Sequence, residues 1–146
     1  MSNNFKKIWI TGASSGIGKA LAEKFAKENW KVAISARRES LLNEIAKEEN
    51  ITAFPLDITK NEEVKNTFSK IINDFGDIDI CVFCSAIYNR KNEKEINVAQ
   101  IAKTIEVNFL GNVNCVKTVE SHFKNRKNGQ ISLVSSVAAY RGLPSS

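Results

Sequence analysis

Thr11-Gly12-Ala13-Ser14-Ser15-Gly16-Ile17-Gly18 is the stretch that decides the fold. It follows Lys7-Ile8-Trp9-Ile10-Thr11, a short apolar run with strand character. It precedes a stretch from about Ile17 to Glu28 in which Ile17, Leu21 and Phe25 recur every four residues, as on the buried stripe of a helix. A glycine pattern carries meaning in that strand–turn–helix setting and little outside it. Gly12 permits a tight turn, Gly16 lets the backbone approach a pyrophosphate, and Gly18 allows close packing of helix on strand. The helix opening then offers free N–H groups and a positive dipole end to phosphate.

Outward from this stretch, short β-like runs alternate with longer helical ones. Lys31 to Ser35 reads as a second strand, Leu41, Leu42 and Ile45 mark a second helix, and Ile51 to Leu56 reads as a third strand. Thr59-Lys60-Asn61-Glu62 fits a capping box opening a third helix. Val64, Phe68, Ile71, Ile72 and Phe75 form that helix's apolar face, and Gly76 stops it. Ile78 to Cys84 shows no polar alternation, as expected of a strand covered on both faces. A long helical stretch from about Val98 to Lys124, opened by Asn97 with Gln100, leads to a fifth strand at Ile131 to Ser135. Five strands separated by helices imply parallel pairing with right-handed crossovers. The expected fold class is α/β, a three-layer Rossmann-type doubly wound sheet with strand order 3-2-1-4-5.

The 146 residues, 42% hydrophobic and 25% charged, have ordinary globular composition and suit one domain spanning 1–146. That domain is expected to be incomplete. The chain stops at Leu143-Pro144-Ser145-Ser146, in a loop after a strand, where a sixth crossover helix should cover the outer strands. No stretch approaches the length of a membrane span, and Met1-Ser2-Asn3-Asn4-Phe5 has no signal core, so a cytoplasmic protein is expected. The net charge of +5, from 21 basic and 16 acidic residues, is scattered and interleaved with Glu. It reads as a lysine-rich surface suited to an anionic ligand rather than a nucleic-acid patch. Cys81-Val82-Phe83-Cys84 spells C-x-x-C, but residues three apart in a strand point to opposite faces. With one further Cys, Cys115, and one His, His122, no metal site is expected, and buried reduced thiols are.

The T-G-x-x-x-G-x-G spacing at Thr11–Gly18 resembles that of the short-chain dehydrogenase/reductase family. The resemblance implies a Rossmann fold, a nicotinamide cofactor and carbonyl/alcohol redox chemistry. It places Thr11, Gly12, Ser14, Ser15, Gly16, Ile17 and Gly18 at the cofactor. The position 18 residues past Gly18, where a carboxylate would bind the ribose of NAD, holds Ala36, followed by Arg37 and Arg38. Guanidinium groups fork well onto phosphate, so NADP(H) is favoured, with NAD(H) left open. Leu56-Asp57-Ile58 resembles the family's aspartate-plus-aliphatic pair at the adenine ring, which gives Asp57 and Ile58 a cofactor role; Asp57 also reads as a helix-entry residue near Thr59.

The fourth strand departs from the family pattern. Phe83-Cys84-Ser85-Ala86 stands where Asn-Asn-Ala-Gly is usual, with Cys84 in the place of the strand-pinning Asn and Ala86 in that of Gly. Ser85 and Ala86 are expected at the cofactor, with the extra methyl crowding it and weakening affinity. Val107-Asn108-Phe109-Leu110-Gly111 matches the family's N-x-x-G segment. By resemblance Asn108 is catalytic, its backbone opening the helix and holding a relay water; Asn and Gly in mid-helix are otherwise costly. Ile131 to Val137 carries the family's serine at the end of the strand, and the Ser-Ser-Val alignment selects Ser136, with Ser135 as fallback, to polarise a substrate carbonyl.

The family's proton donor is a Tyr in Tyr-x-x-x-Lys, about a dozen residues after the serine and on one helix face with its Lys. Only ten residues follow Ser136 here, and Tyr140 comes too early with Pro144 in the Lys position. The reading is therefore an NADP(H)-dependent oxidoreductase acting on a small-molecule carbonyl or alcohol. This chain would be a fragment inactive by itself, and the intact parent a homodimer or homotetramer. The alternative is a non-catalytic dinucleotide-binding remnant or regulatory protein.

Overall fold

The computed structural model describes residues 6–88 and 97–141. The opening Met1–Phe5 and the closing loop at Leu143–Ser146, read above as a leaderless start and a post-strand stop, lie outside them. Five parallel strands form one sheet: β1 (Lys7–Thr11), β2 (Lys31–Ser35), β3 (Ile51–Ala53), β4 (Ile80–Phe83) and β5 (Gln130–Leu133), in the order β3-β2-β1-β4-β5. The expected strand order is the observed one. Helices α1 (Gly16–Lys27), α2 (Glu39–Ile45), α3 (Asn61–Phe75), α4 (Val98–Ile105) and α5 (Asn112–Arg126) connect them, with a π segment (Glu106–Gly111) joining α4 to α5.

Alternation along the strands builds two cores. On one face Trp9, Cys81 and Phe83 pack with Val64 and Phe68 of α3 and Cys115 and Val119 of α5. On the other, Ile8, Ile10, Val32, Ile34 and Val82 pack with Ala22 and Ala26 of α1 and Leu42 and Ile45 of α2. Trp9 anchors the first core, stacked on Phe68 at 5.6 Å between centroids and edge-on to Phe83 at 5.6 Å, with its indole N–H donating to Ser35 Oγ at 3.0 Å. The C-x-x-C pair splits across the sheet, Cys81 into the first core and Cys84 against the second, and all three cysteines are free. Burial pushes the Cys81 thiol well up and that of Cys115 to about 12, so both stay protonated.

Several expected details differ. Ile17 is 61% exposed, and the buried side of α1 is Gly18, Ala22 and Ala26, with Leu21 and Phe25 only partly buried beside them. Small residues bring the helix close to the sheet and turn Ile17 outward. No capping box forms at Thr59–Glu62: α3 starts at Asn61, and Lys60 caps it without a side-chain bond. The Thr59 hydroxyl instead donates to Asp57 Oδ1 at 2.8 Å, and Glu63, not Glu62, reaches back to accept the Asp57 N–H at 3.3 Å. The third strand ends at Ala53 as regular structure, although the Phe54 and Leu56 amides still donate to the Ile34 and Ala36 carbonyls; Pro55 between them falls where an N–H would point to the free edge of the sheet. The fourth and fifth strands are likewise shorter than expected at Ile78–Cys84 and Ile131–Ser135. Asn97 caps α4 as expected, its side chain accepting the Gln100 N–H at 3.0 Å. Gly76 ends α3 at φ 83°, a backbone conformation that favours glycine.

Candidate functional site

The glycine turn is built by close approach. A Cβ on Gly12 (φ +71°) would lie 2.7 Å from the backbone of Cys84 and Ser85, and one on Gly18 would lie 2.6 Å from the Gly12 carbonyl oxygen. These contacts press the turn against the end of β4 and the start of α1 against the turn. Gly16 differs. Its φ of +57° suits glycine, and a Cβ there would meet nothing within 4 Å, so backbone borders open space where α1 begins.

The start of α1 lacks a side-chain cap. Ser15 is the N-cap in extended conformation, but its hydroxyl makes no bond to the helix backbone, and no acidic residue stands in the first turn. Ser15 Oγ accepts instead from Arg38 Nη2 at 3.0 Å, and the same nitrogen donates to Ser14 Oγ at 2.9 Å. The helix opening thus keeps free N–H groups and its dipole, with a guanidinium beside it: an electropositive corner built for an anion.

These groups line a cleft of about 290 Å³ at the carboxyl ends of the strands. Of the sequence-predicted residues, Gly12, Ser14, Ser15, Ile17 and Gly18 line it from the first turn, and Arg37 and Arg38 from the end of β2. Asp57 and Ile58 line it from beyond β3, and Ser85 and Ala86 from beyond β4. Asp57 accepts both the amide and the hydroxyl of Thr59, at 3.0 and 2.8 Å. Burial pushes its carboxyl up, but the two Thr59 bonds, with Arg37 and Lys103 beyond, outweigh that and hold it below the usual value. Both sequence readings of Asp57, cleft wall and helix entry, describe its position.

Four predicted residues stand apart from the walls. Thr11, the last residue of β1, is fully buried. Gly16 borders the cleft without lining it. Asn108 lies in the π segment and turns its carboxamide to Ile87, accepting the Ile87 N–H at 2.7 Å and donating to the Ile87 carbonyl at 2.9 Å. Ser136 follows β5, and its hydroxyl accepts the Ala138 N–H at 3.1 Å.

The cleft also takes in Ala36, which the spacing from Gly18 singles out, and Leu56, Cys84, Ile87, Val107 and Val134, which the motif spacing does not mark as walls. All but Val107, which lies in the π segment, follow the end of a strand, and only the sheet order brings them together. The π segment fits among these walls because of Gly111, where a Cβ would lie 2.7 Å from the Ile58 side chain; Asn114 Nδ2 adds a bond to the Ile58 carbonyl at 3.0 Å.

A parallel sheet in this order, with a glycine turn and an uncapped helix opening onto a cleft at the strand ends, defines a Rossmann-type α/β fold. The chain belongs to the short-chain dehydrogenase family, whose model matches residues 6–146. Among its relatives is "Dehydrogenase/reductase SDR family member 7" of Mus musculus, 34% identical over 140 residues, which are 90% of this chain and 41% of the mouse protein. The solved structure "ElxO with NADP Bound" superposes with a TM-score of 0.88 at 32% identity, covering 97% of this chain and 60% of that one. A 3-ketoacyl-(acyl-carrier-protein) reductase from Brucella melitensis, complexed with NADH, superposes at 0.87 with 28% identity, covering 96% and 60%. The chain therefore spans about 41–60% of the length of these relatives. No helix among the described residues is long and apolar enough to cross a membrane.

Proposed function

We propose that the cleft holds a nicotinamide dinucleotide, NADP(H) in preference to NAD(H), and that a protein of the relatives' full length interconverts a carbonyl and an alcohol on a small-molecule substrate. The observation that carries this reading is Arg38, bonded to Ser14 and Ser15 at the uncapped opening of α1. This arrangement supports a diphosphate at the helix opening with an additional phosphate beside it. Arg37 adds positive charge to the same wall, and Ala36 brings no carboxylate to repel a phosphate. Two relatives hold NADP and NADH respectively, which supports a nicotinamide dinucleotide without choosing between the two.

When bound, the nicotinamide supplies or accepts the hydride. Gly12, Ser14, Ser15, Gly16, Ile17 and Gly18 would hold the diphosphate, Asp57 and Ile58 the adenine, and Ser85 and Ala86 the ribose side. Thr11 would serve as scaffold beneath them. The Ser136 hydroxyl accepts one bond and keeps its O–H free to donate to a substrate carbonyl. Asn108 would act through its backbone in the π segment. Residues 137–146 contain no Tyr-x-x-x-Lys, so the 146-residue chain by itself is expected to bind without turnover.

Calorimetry with NADP+ and NAD+ on the 146-residue chain, with a turnover assay using NADPH and a panel of aldehydes and ketones, tests both parts. The expected result is tighter uptake of NADP+ than of NAD+ and no turnover. Arg38→Ala should weaken NADP+ by about 10- to 100-fold, the worth of a charged hydrogen bond, and leave NAD+ nearly unchanged. Equal losses for both nucleotides would sink the NADP(H) preference, and robust turnover would sink the claim of inactivity.

A further inference from the structure

The backbone just past β4 lines the cleft at Ser85, Ala86 and Ile87, yet no strand or helix organises it. Its shape is held from outside by two side chains one helical turn apart. Asn108 grips Ile87 at both its N–H and its carbonyl. Asn112, the first residue of α5, grips the chain two residues earlier, its Nδ2 donating to the Ser85 carbonyl at 3.1 Å. The same Nδ2 donates to the Asn108 carbonyl at 2.9 Å. That carbonyl lies in the π segment, where the displaced i→i+5 pattern leaves main-chain groups to be satisfied by side chains.

The orientation of the Asn112 carboxamide follows from its partners. Both are carbonyl oxygens, so the end facing them must be the NH2. The other end, Oδ1, is buried and finds no partner among the described residues. Leaving a buried acceptor unpaired is costly, and most buried side-chain oxygens avoid it. The donor end of Asn112 is the half that makes contacts, one to the cleft wall at Ser85 and one to the π segment at Asn108.

We infer that Asn112 is a positioning residue for the cleft: a single amide that locks the post-β4 wall, at Ser85, to the π segment, at the Asn108 carbonyl. The spacing of wall and helix is then set by one rigid group rather than by loop packing. Only the affinity part of the test rests on the proposed dinucleotide reading; the lock itself exists without a ligand.

The test compares the 146-residue chain with Asn112→Leu, which removes the donor at similar volume, and Asn112→Asp, which puts a carboxylate against two carbonyls. Backbone amide hydrogen exchange is read across 84–88 against the amides of β1 and β2, and calorimetry gives the Kd for NADP+. In both variants the 84–88 amides should exchange at least tenfold faster while β1 and β2 hold their rates. NADP+ should bind about tenfold more weakly, or about 1.4 kcal/mol. Unchanged exchange at 84–88 overturns the inference. So does acceleration spread evenly over the sheet, or failure of both variants to fold, since Asn112 would then be an ordinary core residue. If the unsubstituted chain takes up no NADP+, the dinucleotide reading falls, and the exchange pattern alone decides on the lock.

Discussion

Thr11 shows how much one side chain depends on its neighbours. The family resemblance assigns it to the ligand, but its hydroxyl, at the end of β1, is buried without a partner among the described residues. Its register partner on β4 is Phe83, which stands where the family pattern has the first of its two Asn residues. An apolar ring offers Thr11 Oγ1 neither donor nor acceptor. Thr11→Val keeps the shape and removes the orphaned group. It is expected to raise stability by about 1 kcal/mol, measured as a higher urea midpoint at unchanged slope, with no change in NADP+ affinity. A loss of affinity would show that the hydroxyl reaches the ligand after all. Asn108 was legible as a singular residue because an Asn inside a helix needs a local reason, whereas Ser136 stood out only through the family resemblance. Their bonds to Ile87 and Ala138 were not legible, because those depend on where two unstructured segments run.

At the scale of elements, α1 is placed by its glycines. A Cβ on Gly18 would press on the Gly12 carbonyl and on the backbone of Ala13, none of which can rotate away. Gly18→Ala should therefore lower stability by about 1–3 kcal/mol and widen the turn, weakening NADP+ as well. Gly16→Ala meets no atoms, and its cost is that of a positive φ, about 1–2 kcal/mol. Urea titration of the two variants checks the ranking; an unperturbed Gly18→Ala would mean that α1 slides freely. The break of the long helix into α4, the π segment and α5 was foreshadowed by Asn108 and Gly111. Its reason appears only in three dimensions, where Gly111 lets the helix touch Ile58. The capping box at Thr59–Glu62 failed because α3 starts at Asn61 with Lys60 as its N-cap, which leaves Thr59 one residue outside the capping position, its hydroxyl donating to Asp57.

Across the whole molecule, burial is lopsided. β1 and β2 are almost wholly enclosed, whereas β5 is open along most of its length, and Leu133 is 58% exposed. Val98, Ile101, Ile105 and Val113 on α4 and α5 are exposed as well. Exposed apolar surface of this kind is expected to bind the dye ANS and to drive concentration-dependent association of the 146-residue chain. The double substitution Val113→Lys with Leu133→Lys should suppress both, measured by dye fluorescence and sedimentation velocity. Equal dye binding by the variant would place the sticky surface elsewhere.

Local chemistry was enough to determine the order of elements, the parallel sheet in the order 3-2-1-4-5, the glycine turn and the arginines after β2. The elements, the turn and the arginines follow from the period of apolar residues, from backbone freedom at Gly and from charge, all carried by a few neighbouring residues, and the sheet order follows from the alternation of strands and helices under the rules for parallel crossovers. The tertiary structure alone decided which residues wall the cleft, which hydroxyl is orphaned, why Ile17 faces outward, and how Asn108 and Asn112 hold the segment after β4. Those outcomes depend on distances between segments remote in the chain, and such distances come into being only when the sheet closes its ladder and the two cores pack against it.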